Sequence, residues 1–270
     1  MSYADKVFKQ NLKEILEQEW EVDNRARWAD GSPVMTKRIL QVVNKYDLSK
    51  EFPILTLRPI NFKAAIDEIL WIYQRQSNNI KDLNSKIWNS WADEQGFIGK
   101  AYAYQIRKPM LGYPSQVHYV LETIKTNPTS RRIMMNMFDV KDMPEKNLIE
   151  CAYATHFSVK NGKLHMTLIQ RSNDFLVANN WNLVQYAILM HMIAIHCNLE
   201  VGILTHFIQD CHIYNKHQKQ AYELLSREGY EAPKLVINPD KKNFFDFTVD
   251  DFELINYKHH PQVERFEVAV

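Results

Sequence analysis

The chain has 270 residues, 46% hydrophobic, 12% aromatic and 24% charged; this is the make-up of an ordinary folded protein able to bury a sizeable core, not of a disordered one. Its 33 basic and 32 acidic residues leave a formal net charge of +1, which argues against broad nonspecific nucleic-acid binding while allowing a local basic pocket. Cys151, Cys197 and Cys211 match neither a disulfide scaffold nor zinc-finger spacing, MSYADKVFKQ lacks the apolar core of a signal peptide, and no run approaches the roughly 18 apolar residues of a membrane span, so a cytoplasmic protein without a metal site is expected.

In chain order, residues 3–18 place Tyr3, Val7, Leu12, Ile15 and Leu16 at helical spacing and predict an amphipathic helix. A polar, arginine-bearing stretch follows, VDNRARWADGSPVMTKR, with a turn expected at Asp30–Gly31–Ser32–Pro33. Residues 61–75, NFKAAIDEILWIYQR, read as a mostly buried helix started by Asn61 after Pro59. Another helix is expected over 113–125, then the loop TNPTSRR entering the strand-like IMMNMF. Residues 156–169 alternate as a hairpin about Asn161–Gly162. NLVQYAILMHMIAIHC, 182–197, is apolar on most faces and suits a central helix. VGILTHFIQD is a third strand signal, and the chain turns helical again near Asn215. No linker, low-complexity segment or repeat divides the chain. A single α/β (α+β) domain over residues 1–270 is expected, with a large, mostly mixed or antiparallel sheet flanked by helices. The element order gives no support for a βαβ dinucleotide domain, and neither GxGxxG nor GxxxxGK[ST] is present. Any phosphate must then be held by side chains.

Cys151 stands in NLIECAYATHF, residues 147–157, just before an apolar run. It is either a buried filler or a nucleophile, and nothing beside it in sequence lowers its pKa. Arg25, the pair Arg131–Arg132, and Arg171 followed by Ser172 lie in loop-like or strand-end sequence. An arginine fork matches phosphate oxygens, and nearby cations depress a thiol pKa. Together these arginines would supply the field that Cys151 lacks; singly, each reads as a surface residue.

The segments NPTSRRIMMNMF, LIECAYATHFSVKNGKLHMTLIQRSND, NLVQYAILMHMIA and DCHIYNKH occur in order, joined by DEILWI, IWNSWADEQGFIGKAY and the closing EVAV. From about residue 20 to the C-terminus the pattern resembles the thymidylate synthase family. The resemblance implies methylation of dUMP by 5,10-methylenetetrahydrofolate, giving dTMP and dihydrofolate, by a homodimer. It makes Cys151 the nucleophile that adds to pyrimidine C6. Arg25, Arg171 and Ser172 match phosphate ligands of one subunit, and Arg131 and Arg132 match a pair supplied to the neighbouring active site. Asn182 matches the reader of the uracil edge, because an amide can accept from N3–H and donate to O4; without the resemblance it reads as a helix cap. His212 and Tyr214 match the pair that grips the sugar 3′-hydroxyl. Glu68 matches the glutamate that moves protons through water, and lies in the apolar AAIDEILWIY, where an unpaired carboxylate is costly; helical periodicity alone also allows an exposed position. Tyr102 matches the tyrosine associated with removal of the C5 proton. Ile87, Trp88, Trp91, Leu148, Asp174, Val177, Ala178 and Trp181 match the folate site, and the tail Val268–Ala269–Val270 matches the segment that closes over it.

The sequence departs from the family near the site. Glu150 and Ala152 flank the nucleophile where proline and often histidine are usual, Ala178 and Asn180 replace a glycine and a proline, and Gln209 replaces a frequent glycine. A glutamate facing the thiolate would raise its pKa, so Glu150 is expected to point away. The altered 178–181 loop keeps a deoxyuridylate 5-hydroxymethylase open as an alternative, with water replacing hydride. A noncatalytic nucleotide- or RNA-binding protein is the reading from another class.

Overall fold

A computed structural model describes residues 1–146 and 148–267, without the side chain of Arg25. Helix α1 (Tyr3–Leu16) is capped by the Ser2 hydroxyl, which accepts from the Asp5 N–H at 3.0 Å, and it buries Phe8, Leu12, Ile15 and Leu16. The polar stretch after it is a hairpin of β1 (Glu21–Arg27) and β2 (Pro33–Asp47). Sequence alternation conceals β2 because the strand is interrupted at Gln41, where φ is 58°, leaving both Leu40 and Val43 exposed. Helix α2 (Phe62–Ile69) starts where expected, with Asn61 Oδ1 accepting from the Ala64 N–H at 3.2 Å, and it runs into a π-helical turn, Leu70–Gln74. The short α3 (Ala103–Ile106) and α4 (Gln116–Thr126) follow.

The second half of the chain builds the centre of the sheet. Strand β3 (Met134–Asn136) is shorter than IMMNMF suggests. Strands β4 (Ala152–Lys160) and β5 (Lys163–Gln170) form the expected hairpin; Asn161 and Gly162 take φ of 53° and 72°, the left-handed pair that a two-residue turn requires. After the two-residue β6 (Asn173–Asp174), helix α5 (Asn179–His196) is buried on nearly every side, as its uniform apolarity predicts. Strand β7 (Glu200–Tyr214), helix α6 (Gln218–Ser226) and the small pair β8 (Lys234–Ile237) and β9 (Phe252–Ile255) complete the order.

Among the described residues the main sheet has the order β1-β2-β7-β5-β4-β3, with β6 also paired to β7. It is mixed: β7 runs parallel to β5 and β6 and antiparallel to β2. The parallel crossover through α5 is a βαβ connection that the element order did not suggest. Three features of this topology place the site. Ala152 pairs with Gln170, which sets Cys151 and Arg171 side by side at the ends of β4 and β5. Asp174 pairs with His212. The first turn of α5 carries Trp181 and Asn182 towards the same end of the sheet.

Candidate active site

The thiol of Cys151 lies 3.8 Å from Arg171 Nη2. The same guanidinium donates from Nε to the Glu150 carbonyl at 3.0 Å and from Nη2 to the Ile149 carbonyl at 2.8 Å, while the Arg171 N–H donates to the Cys151 carbonyl at 2.8 Å. Arg171 therefore holds the loop by its backbone and sets a positive charge beside the sulfur, the condition that stabilises a thiolate. On the other side, the Cys151 N–H donates to the Tyr102 hydroxyl at 3.3 Å. Tyr102 is buried and holds φ at 45°, a conformation that strains any residue with a side chain. Burial, and secondly the neighbouring Cys151, push its phenol well above the usual range. Cys197 and Cys211 are not part of this arrangement, and burial raises both thiols.

Glu150 is turned into the core. Its Oε1 accepts from the Tyr102 N–H at 3.0 Å, and both oxygens accept from Lys146 Nζ, at 2.8 and 2.7 Å. Neither side chain of the Lys146–Glu150 pair is exposed, and Nζ also donates to the Met137 carbonyl at 3.0 Å. The acid beside Cys151 is thus neutralised from behind, and it braces the strained Tyr102 backbone. Lys146 was not singled out in the sequence; the only cue was its spacing of four residues from Glu150.

Glu68 has no such partner. It is buried between α2 and α5, with Trp181 Nε1 donating to Oε2 at 3.2 Å. Burial pushes its carboxyl up to about 7, against the opposing influence of Gln185, Trp88 and Trp181. Trp88 stands between this acid and Tyr102: its ring packs edge-on against Tyr102 at 5.0 Å and against Trp91 at 5.6 Å. Tyr73 and Tyr186, joined hydroxyl to hydroxyl at 3.1 Å, complete the surrounding layer.

Asn182 is held at both ends of its amide. Its Oδ1 accepts from Gln170 Nε2 at 3.1 Å and its Nδ2 donates to Gln185 Oε1 at 3.1 Å. His212 Nδ1 lies 2.8 Å from Asp210 Oδ1, and Arg38 Nη1 donates to the other oxygen of Asp210 at 3.0 Å. Despite burial, His212 and Arg38 hold the Asp210 carboxyl below its ordinary range. An ionised Asp210 makes Nδ1 the donor of this bond. Tyr214 packs edge-on to His212 at 5.2 Å. Asp174, in register with His212, has its carboxyl raised by burial, opposed by His212 and His217.

The folate candidates lie in three stretches: Ile87, Trp88 and Trp91, then Leu148, then Asp174 to Trp181 at the start of α5. Trp88, Leu148 and Trp181 are half-buried against the core, while Ile87, Trp91 and Val177 expose apolar surface at 46%, 40% and 41%. Ala178 has φ of −98°, so no positive φ is lost with the missing glycine. Asn180 accepts from the Leu55 N–H at 2.9 Å and donates to the Pro53 carbonyl at 3.3 Å, tying the start of α5 to that segment. Gln209 is exposed on β7. Glu267, the last described residue, has its carbonyl 2.8 Å from His217 Nε2. Val268 and Ala269 lie outside the described residues, as does the Arg25 side chain.

Among the described residues, Arg131 and Arg132 do not join Arg171 beside the Cys151 thiol. Arg131 and Arg132 are exposed, and the Phe157 N–H donates to Ile133 O at 2.9 Å. Phe157 is six residues along β4 from Cys151, about 20 Å of extended chain at about 3.3 Å per residue.

A profile of the thymidylate synthase family matches residues 6–270. The chain is 41% identical to the thymidylate synthase of Bacillus mojavensis and 40% identical to thymidylate synthase 1 of Bacillus subtilis strain 168, each over 281 aligned positions and the full length of both chains. Its fold superposes on thermostable thymidylate synthase A of Bacillus subtilis with a TM-score of 0.93, at 40% identity, covering 99% of each chain.

Two predictions concern the buried acids. Glu68 stabilises the fold most when protonated, an advantage complete below pH 4.5 and lost as pH rises through about 7. Glu68→Gln should therefore gain about 3 kcal/mol relative to wild type between pH 4.5 and pH 8, at about 1.36 kcal/mol per unit. Parallel urea curves for the two proteins at all pH values would refute this. Lys146→Met leaves Glu150 charged and buried, and should cost about 3–5 kcal/mol. Lys146→Met/Glu150→Gln should recover most of the loss, measured by the urea midpoint.

Proposed function

The chain belongs to the thymidylate synthase family, and from that premise we propose that Cys151 is the nucleophile of its reaction, with Arg171 as the cation that favours the thiolate. The reaction methylates dUMP with 5,10-methylenetetrahydrofolate and yields dTMP and dihydrofolate; the folate supplies both the one-carbon unit and the hydride. The contact of 3.8 Å between Cys151 Sγ and Arg171 Nη2 carries the assignment. The thiolate adds to C6, which places the electron pair on C5 and O4 of the ring. Asn182 reads the N3 and O4 edge, and Glu68, with a carboxyl near pH 7, exchanges protons with water at O4. Tyr102, whose hydroxyl contacts the nucleophile's N–H, takes part in removing the C5 proton. Arg25, Arg171 and Ser172 hold the phosphate, and His212 and Tyr214 hold the 3′-hydroxyl. Ile87, Trp88, Trp91, Leu148, Asp174, Val177, Ala178 and Trp181 receive the folate, closed over by Val268 and Ala269. Residues 1–270 act as one catalytic domain, placed in the cytoplasm with its soluble substrates.

Arg131 and Arg132 serve the partner's site in a homodimer. Support comes from their distance along β4 from the chain's own thiol and from Val22, Leu40 and Val43, which leave apolar side chains exposed on β1 and β2. The hydroxymethylase alternative is not favoured, since the loop changes that suggested it are accommodated: Ala178 has an ordinary φ and Asn180 is bonded on both sides.

Two experiments test these assignments. Cys151→Ser should form no covalent adduct with a 5-fluoro-substituted dUMP and the folate, and should lose at least about a thousandfold in turnover, since a missing nucleophile removes the covalent route; wild-type product should be dTMP with equimolar dihydrofolate. Normal adduct formation in the variant, or mainly 5-hydroxymethyl product from wild type, would count against the proposal. Mixing inactive Cys151→Ser with inactive Arg131→Ala should restore activity up to about a quarter of wild type after subunit exchange, because statistical mixing assembles one intact site in half of the dimers. No recovery after proven exchange would reject the shared site.

A further inference from the structure

We propose that His206, together with the Ser172 carbonyl and acting through Gln170, fixes which way the Asn182 amide faces and so strengthens the preference of the site for uracil over cytosine. The proposal rests on Asn182 as the pyrimidine reader. His206 is a positioning residue on β7, wholly buried, and its Nε2 lies 2.7 Å from Gln170 Oε1. The parallel register of β5 and β7 pairs Leu168 with His206, which brings Gln170, two residues further on, to the same face.

The direction of each bond follows from a group that can only accept. Gln170 Nε2 lies 3.0 Å from the Ser172 carbonyl and 3.1 Å from Asn182 Oδ1. A carbonyl has no proton to give, so the amide nitrogen of Gln170 must face Ser172 and its oxygen must face His206. His206 is therefore the donor, as the Nε2–H tautomer. Burial holds its ring far below the usual range, at about 3, so this neutral form persists at every working pH. Its Nδ1, buried with no hydrogen-bond partner among the described residues, is consistent with an unprotonated nitrogen. The chain of donors then runs from His206 to Gln170 to Asn182 to Gln185 Oε1, the last link at 3.1 Å.

This order fixes base choice. In the arrangement seen, Asn182 Oδ1 keeps a lone pair for a pyrimidine N3–H and Nδ2 keeps a proton for O4, the pattern of uracil. Turned over, the amide offers a donor at N3 and an acceptor at position 4, the pattern of cytosine. Without the His206 donor, Gln170 Oε1 is a buried acceptor left unmade. The preference of Gln170 for its present orientation shrinks to what the Ser172 carbonyl provides, and with it the hold on Asn182.

The test measures dissociation constants of dUMP and dCMP for the full-length enzyme and three variants. His206→Phe, which keeps the bulk and removes the donor, should lower the dUMP-to-dCMP affinity ratio about tenfold, equivalent to about 1.4 kcal/mol. His206→Gln, whose amide nitrogen reaches about as far as Nε2, should stay within about twofold of wild type; a structural filler role would not separate these two changes by the base they bind. Asn182→Asp should shift the ratio by itself. If Asn182→Asp shifts it and folded His206→Phe does not, the His206 assignment fails and the reader stands. If Asn182→Asp leaves the ratio unchanged, the reader fails and the proposal with it. Should His206→Phe not fold, nitrogen-15 NMR of the wild-type histidine rings decides: an Nε2–H tautomer at His206 supports the proposal, and an Nδ1–H tautomer overturns it.

Discussion

The site depends on what Arg171 does with a single guanidinium. It fastens the loop before β4 through the carbonyls of Ile149 and Glu150 and reaches the Cys151 sulfur with the same Nη2 that holds Ile149. Hydrogen bonds from a charged donor are worth about 1.5–3 kcal/mol each, so the loop cannot drift without losing the bonds that also locate the charge. Geometry and electrostatics are thereby one constraint. Its reach is short, which suits a chain whose net charge is only +1: the cation is set beside the sulfur locally.

Two buried glutamates near this point show how surroundings divide labour between like groups. Glu150 has a lysine against both oxygens and a backbone N–H besides, so its charge is met and it serves as a brace. Glu68 has one indole N–H at 3.2 Å and aromatic rings around it, so burial dominates and its carboxyl rises to about 7. Exchanging the surroundings would exchange the roles. A protonated Glu150 could not hold Lys146, and a Glu68 paired with lysine would hold no proton at neutral pH.

Much of this arrangement was legible before the fold. The Asn161–Gly162 hairpin, the amphipathic α1, the Asn61-capped start of α2 and the apolar α5 followed from local chemistry, which tertiary packing did not override. Cys151, Arg171 and Asn182 were singled out by resemblance, and the register of β4 and β5 brings the first two together. Strand β2 was missed because its parity breaks at Gln41. Gln170 and His206 were missed because a lone glutamine at a strand end and a histidine among apolar residues carry no sequence signal; their meaning arises from the parallel pairing of β5 and β7 through α5, a long-range contact. How far Arg131 and Arg132 lie from the thiol could not be read from spacing; the bond between the Phe157 N–H and the Ile133 carbonyl supplies it.

The departures from the family share a physical logic. Two positions where proline is usual, before the nucleophile and at the start of α5, hold Glu150 and Asn180, and both are buried. Proline restrains the backbone covalently and acts largely by limiting the unfolded chain. Here the restraint is made in the folded state instead: Glu150 grips the Tyr102 N–H, and Asn180 grips the Leu55 N–H and the Pro53 carbonyl. Such bonds place the backbone as firmly only while every partner is present, because a buried polar group left alone costs about 1–3 kcal/mol, and more for a charge. Lys146 is then not an accessory to the nucleophile's loop but a condition of having a glutamate there. The same reasoning explains why Ala178 needs no counterpart: its φ is −98°, so the glycine it replaces leaves no conformational debt to settle.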